Sequence, residues 1–135
     1  MQSKKQILKK LDFDFSLTAK GQDRRGVGIS AFVKNKERVL LNVEKREIFY
    51  KRGHFRSILE LKIGLNKNNN IIFLINHWPS KMNPTTFRQE NYFLLLERIK
   101  NDPSELVILG DFNNGHFDIN PLLERVPPDQ RKTFF

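Results

Sequence analysis

Two short segments of this 135-residue chain each end an apolar run in side chains that could carry out hydrolysis. Residues 71–81 run from Ile-Ile-Phe-Leu-Ile into Asn-His-Trp-Pro-Ser-Lys and contain His77. Residues 106–113 run from Leu-Val-Ile-Leu into Gly-Asp-Phe-Asn and contain Asp111 and Asn113. A carboxylate can orient or deprotonate a water, an amide can hold an anionic oxygen, and a histidine can hydrogen-bond a phosphoryl oxygen or stabilise it as the imidazolium. The two segments therefore indicate a hydrolytic site where a sheet meets solvent.

The elements that would position these side chains are two buried strands, over residues 71–76 and 105–109, because both runs are apolar on both faces. Period-2 geometry predicts that Asp111 and Asn113 lie on the same side of their strand. Gly110 leaves room for a ligand or a neighbouring backbone to approach closely.

Each of these side chains also has an ordinary structural interpretation. Asp111 and Asn113 could close an Asx turn at a strand end, and His77 could be a half-buried histidine with its hydrogen bonds satisfied. Taken singly, the structural interpretations are favoured. Taken together, with Trp-Pro-Ser after His77 and Gly110 before Asp111, the residues favour a site.

The rest of the chain reads as strands with one long helix, which indicates a sheet packed by helices. The other predicted elements are a helix over 3–11, strands over 13–17, 26–33, 38–43 and 56–63, a turn over 66–70, and a strand beginning at 131. The long helix begins at a capping Thr85 or Thr86 and ends near Lys100. Its predicted apolar side comprises Phe87, Phe93, Leu94, Leu95, Leu96 and Ile99. A hairpin through 34–36 is expected to join the strands over 26–33 and 38–43.

The composition is basic, with 24 Lys plus Arg against 15 Asp plus Glu, a net charge of +9 and a pI of about 10.0. Such a field attracts polyanions, although a compositional bias explains the charge equally well. The chain has no cysteine, which excludes disulfides, thiolate zinc sites and a cysteine nucleophile. No secretory signal or membrane-spanning run is visible, so a cytoplasmic location is the default expectation.

Residues 76–81 and 109–113 resemble two signature segments of the endonuclease/exonuclease/phosphatase family, the deoxyribonuclease-I-like superfamily. One predicted helix separates them, as in that family. Residues 24–29, Arg56, Arg88 and residues 131–135 are similar to further family positions, in the same order. The resemblance covers the chain from about residue 22 to its end.

The resemblance implies an α+β fold, a partial four-layer α/β/β/α sandwich, and a hydrolase of phosphoesters that uses Mg²⁺ or Mn²⁺. By position, His77 would contact and stabilise the scissile phosphate. Asp111 would orient and activate the attacking water. Asn113 would hold a phosphate oxygen and help to position that water.

Three further residues are candidate phosphate contacts by the same resemblance. Arg56 would be an anion contact or a structural partner near the site; a solvated strand-face cation paired with Glu60 explains it nearly as well. Ser80 and Lys81 could contact phosphate, but a loop serine and a surface lysine are the more ordinary interpretations.

The chain also departs from the family. Family members begin with strands that carry an Asn and a metal-binding Glu, and they end with an Asp-His pair; none of these has a counterpart here. Residues 1–135 are therefore expected to be a single, incomplete domain, the central part of the family fold. A second chain could complete the sheets, no metal ligand is assigned, and Mg²⁺ or Mn²⁺ binding by this chain alone is in question.

The leading functional hypothesis is a metal-dependent endonuclease or phosphodiesterase that acts on nucleic acid, since phosphate neutralisation by basic residues drives such binding. One alternative is a catalytically inactive remnant that still binds phosphate or nucleic acid. Another is a phosphatase for lipid or inositol phosphates, which the same family contains. An unrelated basic α/β domain with chance motifs is the least favoured interpretation.

Overall fold

The computed structural model describes residues 4–21, 27–35, 40–49, 57–100, 102 and 104–113. Its elements, in chain order, are α1 (Lys4–Leu11), β1 (Phe15–Ala19), β2 (Ile29–Val33), β3 (Asn42–Ile48), β4 (Ile58–Gly64), β5 (Asn70–His77), α2 (Thr85–Ile99) and β6 (Glu105–Asp111). Arg56 and the predicted strand from residue 131 lie outside the described residues. Neither described helix has the length and apolar content that crossing a bilayer requires.

The chain divides into two compact units. Unit 1 comprises Met1–His77 and Ser104–Asp111, and unit 2 comprises Trp78–Pro103 and Phe112–Phe135. Unit 1 contains a two-stranded sheet, β1-β2, and a four-stranded sheet in the order β3-β4-β5-β6. All neighbouring strands are antiparallel except β5 and β6, which are parallel. Unit 2 contains α2, which follows β5 in the chain and precedes β6.

The core of unit 1 lies between its two sheets. Leu59 and Leu61 of β4 pack with Ala19 of β1 and Ile29 of β2. Four partly buried apolar residues extend this cluster: Leu17, Ala31, Phe73 and Ile75. Since successive strand residues point to opposite faces, these odd-numbered positions define one face of β4 and β5. The opposite face is buried as well, with Ile58 and Leu74 fully inaccessible to solvent. The central β5 is thus apolar on both faces, as predicted.

The predicted hairpin through residues 34–36 is wrong. β2 pairs with β1, whereas β3 pairs with β4, so the chain changes sheets between Val33 and Asn42. The Asn35 side chain accepts a hydrogen bond from Leu40 N at 3.0 Å and donates one to Leu40 O at 3.1 Å. These two bonds satisfy the backbone of Leu40 that a hairpin ladder would otherwise engage.

The prediction that the strand over 105–109 is buried is also wrong. Within the part of the chain that the structure describes, β6 lies at the edge of its sheet, next to β5 alone. Ile108 and Leu109 are 39% and 38% exposed. Apolar residues on both faces do not by themselves make a strand central. Its burial also depends on whether another strand pairs along each of its edges.

Helix α2 ends as predicted, but it begins differently. Its N-cap is Pro84, and no side chain caps it. The buried positions are Arg88, Asn91 and Leu95, which follow the i, i+3, i+7 spacing of one helix face. Phe93, predicted on the apolar side, is 57% exposed. Two of the three buried residues are polar, so hydrophobicity alone could not locate this face.

Candidate functional site

His77 and Asp111 are the last residues of β5 and β6, and they are register partners. Because the two strands are parallel, their carboxyl ends lie at the same edge of the sheet. His77 Nε2 lies 4.0 Å from Asp111 Oδ2, and 37% and 63% of the two side chains are exposed. This distance is too long for a direct hydrogen bond, but one oxygen atom can lie about 2.8 Å from both groups. The pair can therefore hold a water that donates a hydrogen bond to Asp111 and also hydrogen-bonds His77.

The backbone beside this pair depends on a glycine. Gly110 is the register partner of Asn76, and its φ is +136°, which L side chains rarely adopt. A Cβ at this position would overlap the Asn76 main chain. The buried Asn76 amide donates to Leu74 O at 2.9 Å and to Leu109 O at 3.4 Å. Asn76 and Gly110 thus fix the local register one residue before His77 and Asp111.

In unit 2, the residues that follow the two strands contact each other. Trp78, which is almost fully buried, packs edge to face against Phe112, with ring centroids 5.0 Å apart and planes at 85°. Asn113 Nδ2 donates a hydrogen bond of 2.8 Å to Trp78 O. An aromatic pair of this kind contributes about 0.5–1.5 kcal/mol beyond the area that it buries. These contacts fix the path of the chain where it leaves β5 and β6.

Asn113 does not continue β6, contrary to the period-2 prediction. The strand ends at Asp111, and Asn113 adopts a left-handed φ of 52°, a conformation that asparagine tolerates well. The alternation of a strand therefore does not determine the direction of the Asn113 side chain.

Ser80 and Lys81 are exposed and begin a turn over Ser80–Asn83. The Arg88 guanidinium of α2 donates to Ser80 O at 2.9 Å and to Asn83 O at 3.2 Å, which holds both ends of the turn. Only a family resemblance distinguishes Arg88 in the sequence. The hydrophobic periodicity of the sequence does not indicate that an arginine one turn into this helix binds the carbonyl groups of the preceding turn.

A second polar cluster in unit 1 surrounds Glu47 on β3. Lys45 Nζ donates to Glu47 Oε1 at 3.0 Å, and Ser57 Oγ donates to Oε2 at 3.2 Å. Partial burial raises the pKa of Glu47, but hydrogen bonds from Lys45, Gly21 and Ser57 and the charge of Lys45 outweigh it, so the pKa lies below the ordinary 4.5. Lys45 Nζ also donates to Thr18 O of β1 at 2.9 Å, so the cluster joins the two sheets.

The described residues do not by themselves form a divalent metal centre. Among them, no three His, Asp or Glu side chains converge as metal ligands. Magnesium is usually held by one or two carboxylates together with waters and substrate phosphate. Asp111 is one exposed carboxylate of the required chemistry. We assign no catalytic step to a metal.

Comparison with known proteins identifies the fold. No family model and no curated protein sequence matches this chain. Among solved structures, a truncated Caenorhabditis elegans TDP2 matches with a TM-score of 0.65 and 14% identity, over 83% of this chain and 45% of that one. A D. rerio TDP2 humanized by 14 mutations matches with a TM-score of 0.64 and 15% identity, over 87% of this chain and 50% of that one.

Both are deoxyribonuclease-I-like structures. The chain has the deoxyribonuclease-I-like fold. This likeness confirms the α+β class and the fold that the resemblance of the two signature segments implied. The chain spans about half the length of the TDP2 structures that it matches.

Of the predicted site residues, the structure brings His77 and Asp111 together in unit 1. In unit 2 it places Asn113 against Trp78 O and Ser80 and Lys81 at a turn. Arg56 lies outside the described residues, so its proposed contact stays a prediction.

Proposed function

We propose that this chain carries the phosphate-holding and water-positioning residues of a metal-dependent phosphoester hydrolase. The observation that carries the proposal is the His77–Asp111 pair, half-exposed at the carboxyl ends of two parallel strands. The deoxyribonuclease-I-like fold supports it, because in the family that the two signature segments resemble, residues at the positions of His77 and Asp111 would act on the reacting phosphate. The remaining ligands for Mg²⁺ or Mn²⁺ would come from outside the described residues, in this chain or in a second one.

In the proposed reaction, His77 donates a hydrogen bond to a non-bridging phosphoryl oxygen and stabilises the charge that develops there. Asp111 orients the attacking water and accepts its proton as the new P–O bond forms. The bond from phosphorus to the leaving oxygen breaks, and that oxygen keeps the electron pair and takes up a proton from solvent as the alcohol leaves. Asn113 would hold a phosphate oxygen and help to position the water, with its amide oriented by Trp78 O.

Nucleic acid is the proposed substrate, and the activity would be that of an endonuclease or another phosphodiesterase. The net charge of +9 supports a polyanion, because each phosphate that a basic residue neutralises releases counterions. Arg56, Ser80 and Lys81 would supply further phosphate contacts.

Plasmid nicking tests the proposal. Supercoiled plasmid is incubated with the chain and Mg²⁺ or Mn²⁺, with a His77→Ala, Asp111→Ala double variant alongside. Glu105→Ala is the matched control, because Glu105 is an exposed carboxylate at the opposite end of β6. We expect wild-type chain and control to nick the plasmid and the double variant to lose nicking by at least 100-fold. Equal nicking by all three would contradict the proposal.

Binding without hydrolysis would identify the chain as an inactive, phosphate-binding remnant. Hydrolysis of a lipid or inositol phosphate, with none of nucleic acid, would reassign the substrate to the phosphatase alternative. If the double variant loses nicking, titration calorimetry with Mg²⁺ shows whether it has lost metal binding or only its contacts with the substrate.

A further inference from the structure

The turn over Ser80–Asn83 presents two side chains of different chemistry to solvent. Lys81 is exposed, and Met82 is 97% exposed. Asn83 N donates to Ser80 O at 3.0 Å, and Asn83 Nδ2 donates to Ser80 Oγ at 3.1 Å. The turn begins three residues after His77 in the sequence. A cation and a long apolar side chain thus occupy the tip of a turn that is closed by its own hydrogen bonds.

A buried arginine holds this exposed turn. Arg88 is 9% exposed and donates to carbonyl oxygens at both ends, Ser80 O and Asn83 O, and to Thr85 Oγ1 at 3.4 Å. Its Nε has no hydrogen-bond partner among the described residues. Burying a guanidinium with an unpaired donor is unfavourable. The Arg88 hydrogen bonds thus hold the turn in the conformation that presents Lys81 and Met82.

We propose that Lys81 and Met82 form a nucleotide-contact element for a nucleic-acid substrate. Lys81 would contact a backbone phosphate of the strand, and Met82 would pack against the adjoining base. The inference rests on the proposed function for the class of the substrate. A cation next to one apolar side chain matches the charged phosphate and flat apolar base of a nucleotide. Because hydrogen bonds already hold the turn before binding, few additional rotatable bonds become fixed, and the loss of conformational entropy on binding is small.

A lipid surface fits this turn less well. Interfacial anchoring requires a broad apolar face, such as the buried side of an amphipathic helix. The tip of this turn has one apolar side chain, Met82, between Lys81 and the half-buried Asn83.

Fluorescence anisotropy with a labelled 12-nucleotide single strand, in EDTA, measures the contact without hydrolysis. A second strand of the same length lacks the central bases. We expect Met82→Ala to weaken binding of the intact strand about three- to tenfold. This is the loss expected when one apolar side chain that binding partly buries is removed. It should bind the abasic strand within twofold of wild type. Lys81→Ala should weaken binding of both strands and reduce the salt slope by about one.

The controls are an exposed leucine and an exposed lysine elsewhere on the chain. Leu41 is 63% exposed and Lys67 lies in the turn after β4, so Leu41→Ala and Lys67→Ala match the two substitutions. Arg88→Lys keeps the charge but loses the two-carbonyl geometry. If it folds as wild type by circular dichroism, it should reproduce the Met82→Ala loss on the intact strand.

Three results would overturn the inference: equal binding of the intact strand by Met82→Ala and Leu41→Ala, no measurable binding of either strand at 50 mM salt, or a Met82→Ala loss confined to anionic phosphatidylserine vesicles. The anisotropy readout is independent of turnover. A Met82→Ala effect without plasmid nicking would refute the hydrolase and leave the nucleotide contact standing. Nicking that depends on His77, with no Met82 effect, would refute the contact alone.

Discussion

Replacing Gly110 by alanine should damage the fold and the candidate site together. Gly110 has a φ of +136°, and holding an L residue in such a conformation costs about 1–3 kcal/mol. The added Cβ would overlap the Asn76 main chain, and relieving such overpacking costs about another 1–3 kcal/mol. We therefore expect Gly110→Ala to lower the free energy of unfolding by about 2–6 kcal/mol, a large part of the stability of a small protein.

Gly64→Ala is the matched control in the same sheet. The nearest atom to a Cβ there is Oδ1 of Asn42, the end of an exposed side chain that can move away. We expect Gly64→Ala to change the free energy of unfolding by less than about 1 kcal/mol. Urea unfolding followed by far-ultraviolet circular dichroism measures both variants.

The consequence for the site is a displaced Asp111. Moving the backbone at Gly110 shifts the next residue, and a misplacement of about 1 Å can lower a rate by about 100-fold. Nicking should therefore fall in Gly110→Ala under conditions where the protein is still folded. A Gly110→Ala variant within about 0.5 kcal/mol of Gly64→Ala in stability, with wild-type nicking, would refute this reasoning.

Two further substitutions test the packing and the charges. Asn91→Leu should raise the free energy of unfolding by about 1–2 kcal/mol in urea titrations, because both polar atoms of the buried Asn91 amide lack a partner among the described residues; a loss of stability would instead indicate an unrecognised partner. Glu47→Gln should destabilise at pH 7 by about 1–3 kcal/mol, since it removes the charge that Lys45 and Ser57 stabilise. The Glu47 pKa lies below 4.5, so its contribution is present above pH 4.5 and is lost as the pH falls through the folded-state pKa. The wild type and Glu47→Gln should thus converge in stability once the pH is below the folded-state pKa of Glu47, and a constant difference across the acid titration would contradict this assignment.

Period and length were sufficient to predict the strongest elements from the sequence. The run that becomes β5 is apolar at every position from Ile71 to Ile75, which favours a central strand, and β5 is central. Helix α2 was predicted to within one residue at its end, because Lys100 precedes a polar, proline-containing segment. His77 and Asp111 could be placed at the same edge because each comes two residues after the end of an apolar run.

The failed predictions concern information that is not local. The predicted partner of β3 is wrong, because the sequence of residues 38–43 does not indicate which sheet the strand joins. Burial of β6 depends on what pairs with its second edge. The apolar pattern does not predict the buried face of α2, because the polar residues Arg88 and Asn91 occupy it. Arg88 became interpretable only from its hydrogen bonds to the Ser80–Asn83 turn.

A mutant cycle on His77 and Asp111 tests the central claim most directly. The rate of phosphodiester hydrolysis with Mg²⁺ is measured for the wild type, His77→Ala, Asp111→Ala and the double variant. If the pair acts on one phosphate and its attacking water, each single variant should lose about 10²–10³-fold, and the double variant should be no more than about tenfold slower than the slower single one. Wild-type rates in either single variant, or losses that multiply fully in the double variant, would contradict the assignment of these two residues to one site.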